Sequence, residues 1–400
     1  MQLLAARTAV LDGRLVTPGW VLFDNVVQET GEGIPPARVL NAATAHSTLV
    51  DGVLCPGLVD IQLNGAFGID FAEATDDEWV AVAQQLTSTG VTAFVPTLIT
   101  APVAELARRL GEYGAHAARM TRAPAAARPL GMHIEGPFLA ERRRGAHRAD
   151  LLCDPTPELV DSLVDASAGN LSYLTLAPER TGAIEAIRRL ISNGVRVALG
   201  HTDADAATVR AAADAGATLV THLYNAQRPM RHRDPGTVGA ALTDPRLTCG
   251  LIVDLHHVVP IAVEVAFRAA LGRIALVTDA VAAMGMPAGR YELGGDRVDV
   301  APGLPPRRAD GAIAGSALRM DEAVANSVQH CGVDVETAIN AATRVAAHAV
   351  GRGDLGTLAP QAAADLTWLG DDLLARRTWV GGELAWSRDR EPSASVGAAP

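Results

Sequence analysis

The sequence predicts an α/β fold: a (β/α)₈ TIM-like barrel carrying a small β-sandwich domain built from both chain ends. Eight short apolar segments run along the middle of the chain, namely LVDIQLN, AFVPT, GMHIE, SYLTLAPE, VRVALGH, LVTHL, CGLIVD and IALVTD. They are continuous enough to be strands of a parallel sheet covered on both faces, and helical patterns lie between them. Most of them end in a polar or ionisable residue. A barrel gathers its active site from the C-terminal ends of its strands, so such endings have a use there. A doubly wound open sheet is the alternative, but it would not bring eight strand ends around one point.

Taken in order, residues 1–53 read as short strands broken by turns at Asp12-Gly13 and Pro18-Gly19. In the barrel region, Thr75-Asp76-Asp77-Glu78 is a capping box. It opens a helix on which Trp79, Val82, Ala83 and Leu86 share a face, stopped near Gly90. Thr156-Pro157 supplies an N-cap and a first-turn proline for another helix. Gly194 and Gly216 follow helical stretches where a left-handed C-cap is wanted. Residues 352–387 return to the pattern of the start, with Asp365–Leu369 and then Trp379–Trp386 around Gly381-Gly382. Neither end has the apolar length for a core of its own. The two are expected to pack together as the sandwich, leaving 54–351 as the barrel. The tail 388–400, rich in Ser, Ala and Pro, is expected to be disordered.

Composition removes several function classes. A hydrophobic content of 48% with 4% aromatic residues gives a core of Ala, Val and Leu, ample for a globular enzyme. A net charge of -11 argues against nucleic acid or an acidic membrane as partner. No apolar run reaches the ~18 residues of a membrane span, and the N-terminus lacks a signal-peptide layout. Cys55, Cys153, Cys249 and Cys331 form no CxxC pair, so reduced cysteines and a cytoplasmic location are expected. All 34 basic residues are Arg. Without a lysine there is no Schiff base, no phosphate-loop lysine and no carbamylated-lysine metal bridge.

The strand ends carry the chemistry. On one rim they present Gln62 and Asn64, Glu135, His201, His222, the Asp254–His257 segment, and Asp279. Glu135 closes LGMHIE before a Gly136-Pro137 turn, and His201 and His222 close two later strands. One carboxylate and two imidazoles form the ligand set of a catalytic zinc-type ion with a position left for water. Each of the three alone is more often structural; together they point to a metal. Asp279, followed by small residues from Ala280 to Gly285 that would admit substrate, is placed to take a proton from water and return it to a leaving group. RPMRHRDPG carries Arg228, Arg231 and Arg233, and guanidinium forks suit phosphate.

From Cys55 to Ala314 and beyond, the motifs CPGLVDIQLNG, PTLIT, HIEGPF, LAPE, GHTDAD, THLYNA, RDPG, LVTDA and AGS stand in one order. In this the chain resembles the N-acetylglucosamine-6-phosphate deacetylases of the amidohydrolase superfamily. The resemblance implies that Glu135, His201 and His222 bind the metal and that Asp279 is the general acid/base. It implies that His147 contacts the acetyl carbonyl, with Ala146 touching the sugar through its backbone. It also implies substrate contacts from Asn225, Ala226 and His257, and a loop, Ile313-Ala314-Gly315, closing over the acetyl end. Arg233 is implied to reach the partner subunit's site in a homodimer. Relatives commonly have Gly where this chain has Leu255, which makes the loop bulkier and leaves His256 as an alternative to His257.

Many amidohydrolases end the first strand in His-x-His and bind a second ion there; here the sequence is Gln62-Leu63-Asn64. Amides are poor substitutes for imidazoles, so one ion per subunit is expected, with both amides hydrogen-bonding water or substrate. Zinc is the default, with Fe²⁺, Co²⁺ or Mn²⁺ suited to the same ligands. The implied reaction is hydrolysis of N-acetylglucosamine 6-phosphate to glucosamine 6-phosphate and acetate, in amino-sugar catabolism. The alternatives are an N-acetylgalactosamine 6-phosphate deacetylase or a catalytically silent sugar-phosphate binder.

Overall fold

A computed structural model describes residues 1–390. The apolar segments become eight parallel strands: β1 (Leu58–Leu63), β2 (Val91–Ile99), β3 (Met132–Glu135), β4 (Leu171–Leu176), β5 (Arg196–Leu199), β6 (Leu219–Val220), β7 (Thr248–Leu251) and β8 (Ile274–Leu276). They pair in sequence order. The ring is drawn shut just past the strand ends, where Leu63 bridges Ala280 in parallel. There the Asn64 amide N–H donates to the Ala280 carbonyl (2.8 Å) and that of Asp279 to the Gln62 carbonyl (2.9 Å). The predicted barrel is the one observed. An open sheet would have left these two edges apart.

The helices after successive strands are α1 (Asp76–Leu86), α2 (Val103–Arg122), α3 (Pro157–Ser167), α4 (Ala183–Ser192), α5 (Ala206–Asp214), α6 (Gly236–Thr243), α7 (Pro260–Ala269) and α8 (Met320–Cys331). Their starts follow from local chemistry. Thr75 and Glu78 form the reciprocal capping box of α1, which buries Trp79, Val82, Ala83 and Leu86. Thr156 caps α3, with Pro157 in its first turn. Val59, Phe94, Ile134, Leu174, Val197 and Leu251, from six strands, are buried in one continuous core. Each such side chain contributes about 1.5–3 kcal/mol on leaving water, and together they fix the strand ends as a rigid rim.

The chain ends meet in two further sheets. Strands Gln2–Ala6, Gly19–Phe23, Val27–Glu32 and Ala45–Leu49 form one. Ala9–Leu11, Arg14–Val16, Val53–Pro56, Leu366–Leu369, Ala375–Val380 and Glu383–Ser387 form the other. Leu4, Val21 and Phe23 of the first sheet and Leu54, Leu366 and Trp379 of the second share one buried cluster. The second sheet runs to Pro56, three residues past the boundary expected at 53. Arg388–Arg390 make a short 3₁₀ turn; the expectation of disorder for the remaining tail lies outside the described residues.

One local expectation changes. Ala280–Met284 do not open a path to substrate; they are buried. Val281 and Ala283 pack with Leu293 and Val298 of a hairpin (Gly289–Leu293 with Asp296–Val300) and with Ala314. Small side chains are needed there to seat this hairpin against the rim.

Candidate active site

The C-terminal ends of the barrel strands open into a cavity of about 360 Å³, within the range of small-molecule sites. Glu135, His147, His201, His222, Asn225, Ala226, His257, Asp279, Asn64, Ala146, Ile313 and Gly315 all line it. These sequence-predicted residues thus share one space, whereas Gln62, Arg233 and Ala314 are not among its described lining.

Glu135 ends β3, and its Oε1 lies 2.9 Å from His222 Nε2 and 3.1 Å from His201 Nε2. The two Nε2 atoms are 3.1 Å apart. A triangle with edges of this length has corners that an ion with bonds of roughly 2.0–2.2 Å can touch at once. His201 donates from Nδ1 to the Arg143 carbonyl (2.8 Å), which leaves its Nε2 lone pair directed at the triangle. Glu135, His147 and His201 also offer atoms within 4.8 Å of one another. Of the two candidate third ligands we favour His222 over His147, because its Nε2 is in direct contact with both other donors. His147 instead has Nδ1 within 2.8 Å of Thr100 Oγ1 and 3.4 Å of the Thr100 amide nitrogen.

The backbone at these positions is unusual. His201, His222 and Asp279, each just past a strand, have φ of 46°, 27° and 48°. Left-handed backbone in a non-glycine residue costs on the order of 1–3 kcal/mol and collects at functional sites. After Glu135 the turn falls to Gly136, where φ is 90° and a Cβ would sit 2.2 Å from Thr100 Oγ1.

Electrostatics follow from burial and like-charge crowding. Burial opposes ionisation of Glu135, but hydrogen bonds from His201 and His222 outweigh it and hold the carboxyl well below its usual range. The same contacts overcome burial at His222 and raise it to about 9. Burial, with His201 alongside, lowers His147 to about 3 and keeps its imidazole neutral. Burial and the nearby Glu135 charge raise Asp279 to about 6.

The amides of the first strand have a partner that the sequence reading did not give them. Asn64 Nδ2 donates to Asp279 Oδ1 at 2.8 Å and Gln62 Nε2 to the same oxygen at 3.2 Å. Gln62 reaches Glu135 Oε2 only at 3.5 Å. Both amides thus hold Asp279, and Asn64 also lines the cavity. His257 faces the cavity, its Nδ1 fixed by Asp254 Oδ2 at 2.7 Å. His256 is exposed and lines a separate hollow. Leu255 accepts the backbone that a glycine would favour, with φ of 65°.

Other predicted residues stand apart. Ala314 is buried beneath the loop, while its neighbours face the cavity. Arg233 is exposed and does not line the cavity of this chain. Arg228 is paired with Asp234 at 2.7 Å, and Arg231 is exposed. Conversely, Ile99, Arg142, Arg143, Gly145, Ile252 and Leu293 line the cavity without having been singled out. Arg142 and Arg143 belong to a basic run that reads as solvated, although its guanidinium forks were a signal. Nothing in the sequence marks Leu293, which arrives with the hairpin.

Barrel, rim and carboxylate–imidazole cluster define an amidohydrolase. Residues 53–385 match the amidohydrolase family. An N-acetylglucosamine-6-phosphate deacetylase of Vibrio furnissii is 37% identical over 340 residues, covering 85% of this chain and 84% of its own. An N-acetylgalactosamine-6-phosphate deacetylase of Escherichia coli O157:H7 is 39% identical over 334 residues, covering 83% and 88%. Among solved structures, a mutant of the Mycobacterium smegmatis N-acetyl-D-glucosamine-6-phosphate deacetylase, in complex with N-acetyl-D-glucosamine-6-phosphate, superimposes with a TM-score of 0.88. It is 37% identical, over 96% of this chain and 99% of that one. The chain belongs to the N-acetylglucosamine-6-phosphate deacetylase family of amidohydrolases.

Proposed function

We propose that this chain hydrolyses N-acetylglucosamine 6-phosphate to glucosamine 6-phosphate and acetate. The observation that carries the reading is the contact of Glu135 Oε1 with His201 and His222 at 3.1 and 2.9 Å, in one cavity with Asp279. Glu135, His201 and His222 would hold one divalent ion, zinc by default. When bound, such an ion polarises the acetyl carbonyl and makes water acidic enough to attack at neutral pH.

The protein's own groups supply the rest. Asp279, held by Asn64 and Gln62, takes a proton from the attacking water as the new C–O bond forms, then delivers it to the amide nitrogen as the C–N bond breaks. With Nδ1 accepting from Thr100, neutral His147 has Nε2–H to donate to the carbonyl oxygen as negative charge develops there. Ala146, Asn225 and Ala226 would orient the sugar. His257, oriented by Asp254, would take the phosphate end together with Arg142 and Arg143. Ile313 and Gly315 would close over the acetyl group.

A homodimer with Arg233 reaching the partner subunit's site is part of the same reading. It is supported by exposed apolar side chains: Met230, three residues before Arg233, and Val259, Ile261 and Val265 at the start of α7 and along it are 57%, 57%, 71% and 51% exposed. A monomer in light scattering would exclude it. We assign 1–53 with 352–387 to the sandwich and 54–351 to the barrel, with Val53–Pro56 bridging them. A cytoplasmic location fits the four free cysteines; among the described residues no helix is long and apolar enough to cross a membrane.

The test is acetate release from N-acetylglucosamine 6-phosphate after chelation and metal add-back, with metal content measured on the same sample. Activity should vanish and return with one ion per chain. Two tightly held ions, or activity indifferent to chelation, would contradict the assignment. The 39% identity to a galactosamine-epimer deacetylase makes that epimer the second substrate to assay. A higher kcat/KM for it would reverse the sugar assignment.

A further inference from the structure

At the opposite end of the barrel, where the strands begin, lies a second cavity of about 360 Å³. Arg196, Thr218, Arg246, Thr248, Arg344 and His348 are among its walls. Arg196 opens β5 and Thr248 opens β7, while Thr218 immediately precedes β6. The helix Arg344–Ala349 closes the side. No Asp or Glu is among the described residues lining it.

The charges there are unevenly satisfied. Arg246 is tied to two carboxylates, Asp244 (2.7 Å) and Asp214 (2.6 Å). Among the described residues, Arg196 and Arg344 have no carboxylate partner and no hydrogen bond from the guanidinium. Each is nonetheless positioned by packing. A Cβ on Gly351 would fall 1.8 Å from Arg196 Nη2, and one on Gly13 would fall 2.3 Å from Arg344 Nη1. At both positions the absence of a side chain on glycine leaves room for the arginine. His348 is fixed by donation from Nδ1 to the Arg344 carbonyl at 2.7 Å. Thr218 and Thr248, whose side chains carry hydroxyls able to donate, are also among its walls.

In a chain of net charge -11, two arginines without a carboxylate partner, lining one hollow whose described walls hold no Asp or Glu, are an arrangement that a bound anion would complete. We propose that this N-terminal face of the barrel is a second anion site, for a small phosphate-bearing dianion held between Arg196 and Arg344. The guanidinium forks of Arg196 and Arg344, neither tied to a carboxylate, match the oxygens of a phosphate monoester or inorganic phosphate. The site is remote from the proposed catalytic mouth and does not depend on the reaction assigned there.

Equilibrium dialysis of the full chain against inorganic phosphate tests this. The wild type should bind one more equivalent than R196Q/R344Q, and R344Q alone should weaken that equivalent at least about tenfold. R344K, which keeps a charge but not the fork, should fall between. Because neither arginine touches the catalytic cavity, kcat/KM for deacetylation should be unchanged, which also shows that the variants are folded. A glucose 6-phosphate titration, read the same way, separates a sugar phosphate from free phosphate as the tighter ligand. Equal phosphate stoichiometry in wild type and folded double variant, or retention of the second equivalent at full affinity in R344Q, would overturn the proposal.

Discussion

Replacing Asp279 with Asn separates the chemistry of this site from its architecture. Asn64 and Gln62 both donate to Asp279 Oδ1, at 2.8 and 3.2 Å. An asparagine can offer its carbonyl oxygen to the same two donors, turning its NH₂ towards the cavity. The hydrogen bonds survive and the proton acceptor is lost. General-base removal costs about 10²–10⁴ in rate, or about 2.7–5.4 kcal/mol of barrier at 1.36 kcal/mol per decade. Stability should move the other way. Burial and the Glu135 charge raise Asp279 to about 6 in the folded protein. Its ionised form therefore costs nothing below the unfolded carboxylate range near 4 and destabilises the fold as pH rises through 6. At pH 8 in chelator, Asp279→Asn removes that penalty, on the order of 2–3 kcal/mol. The assay pairs kcat for acetate release, at measured metal occupancy, with thermal melts of the chelated protein. A variant that turns over within tenfold of wild type at equal occupancy would refute the proton-shuttle role.

Four further outcomes follow from the same geometry. Glu135→Gln replaces the anionic ligand with an amide, so metal occupancy after dialysis should fall sharply; full occupancy would remove Glu135 from the ligand set. The acid limb of kcat/KM should lie at or below pH 6, since Asp279 must be ionised to accept a proton and a bound dication would draw it below the value of about 6 set by burial; a limb above pH 7 would exclude it as the base. His147→Ala should lower kcat by about 10²–10³ with metal content unchanged, as loss of one oxyanion donor does; loss of metal instead would make His147 a ligand. Thr75→Ala removes the acceptor for the Glu78 amide and should cost about 1 kcal/mol in denaturant melts with unaltered kcat.

The barrel was legible because its strands are unbroken apolar runs with helical signals between them, a pattern set by burial on both faces. Glu135, His201, His222 and Asp279 stood out for a related reason: each is an ionisable residue closing such a run, more often structural if taken alone but pointing to one site when taken together. What escaped depends on long-range packing. Leu293 reaches the cavity because Val281 and Ala283, which read as an open approach, are covered by its hairpin. The left-handed backbone of His201, His222 and Asp279 leaves no trace in residue type, since none of the three is glycine. Arg143 looks solvated in sequence, yet its carbonyl orients His201 and its guanidinium is tied to Asp203 at 2.7 Å.

Gln62 and Asn64 carry the argument one step further. Had they been imidazoles, lone pairs would point into the site and could hold a second ion beside Asp279. Amide NH₂ groups do the reverse: they present hydrogen, and both are directed at Asp279 Oδ1. A carboxylate oxygen that already accepts two hydrogen bonds is a weaker partner for a further cation, while Asp279 Oδ2 remains available to a proton. The exchange of imidazole for amide at the first strand thus favours a base over a metal ligand at the eighth. The two positions belong together because strand closure places Gln62 and Asp279 in one backbone hydrogen bond, at 2.9 Å. A first strand ending in amides and an acid ending the eighth form one hydrogen-bonded unit, and the expectation of one ion per chain is checked by metal content after add-back.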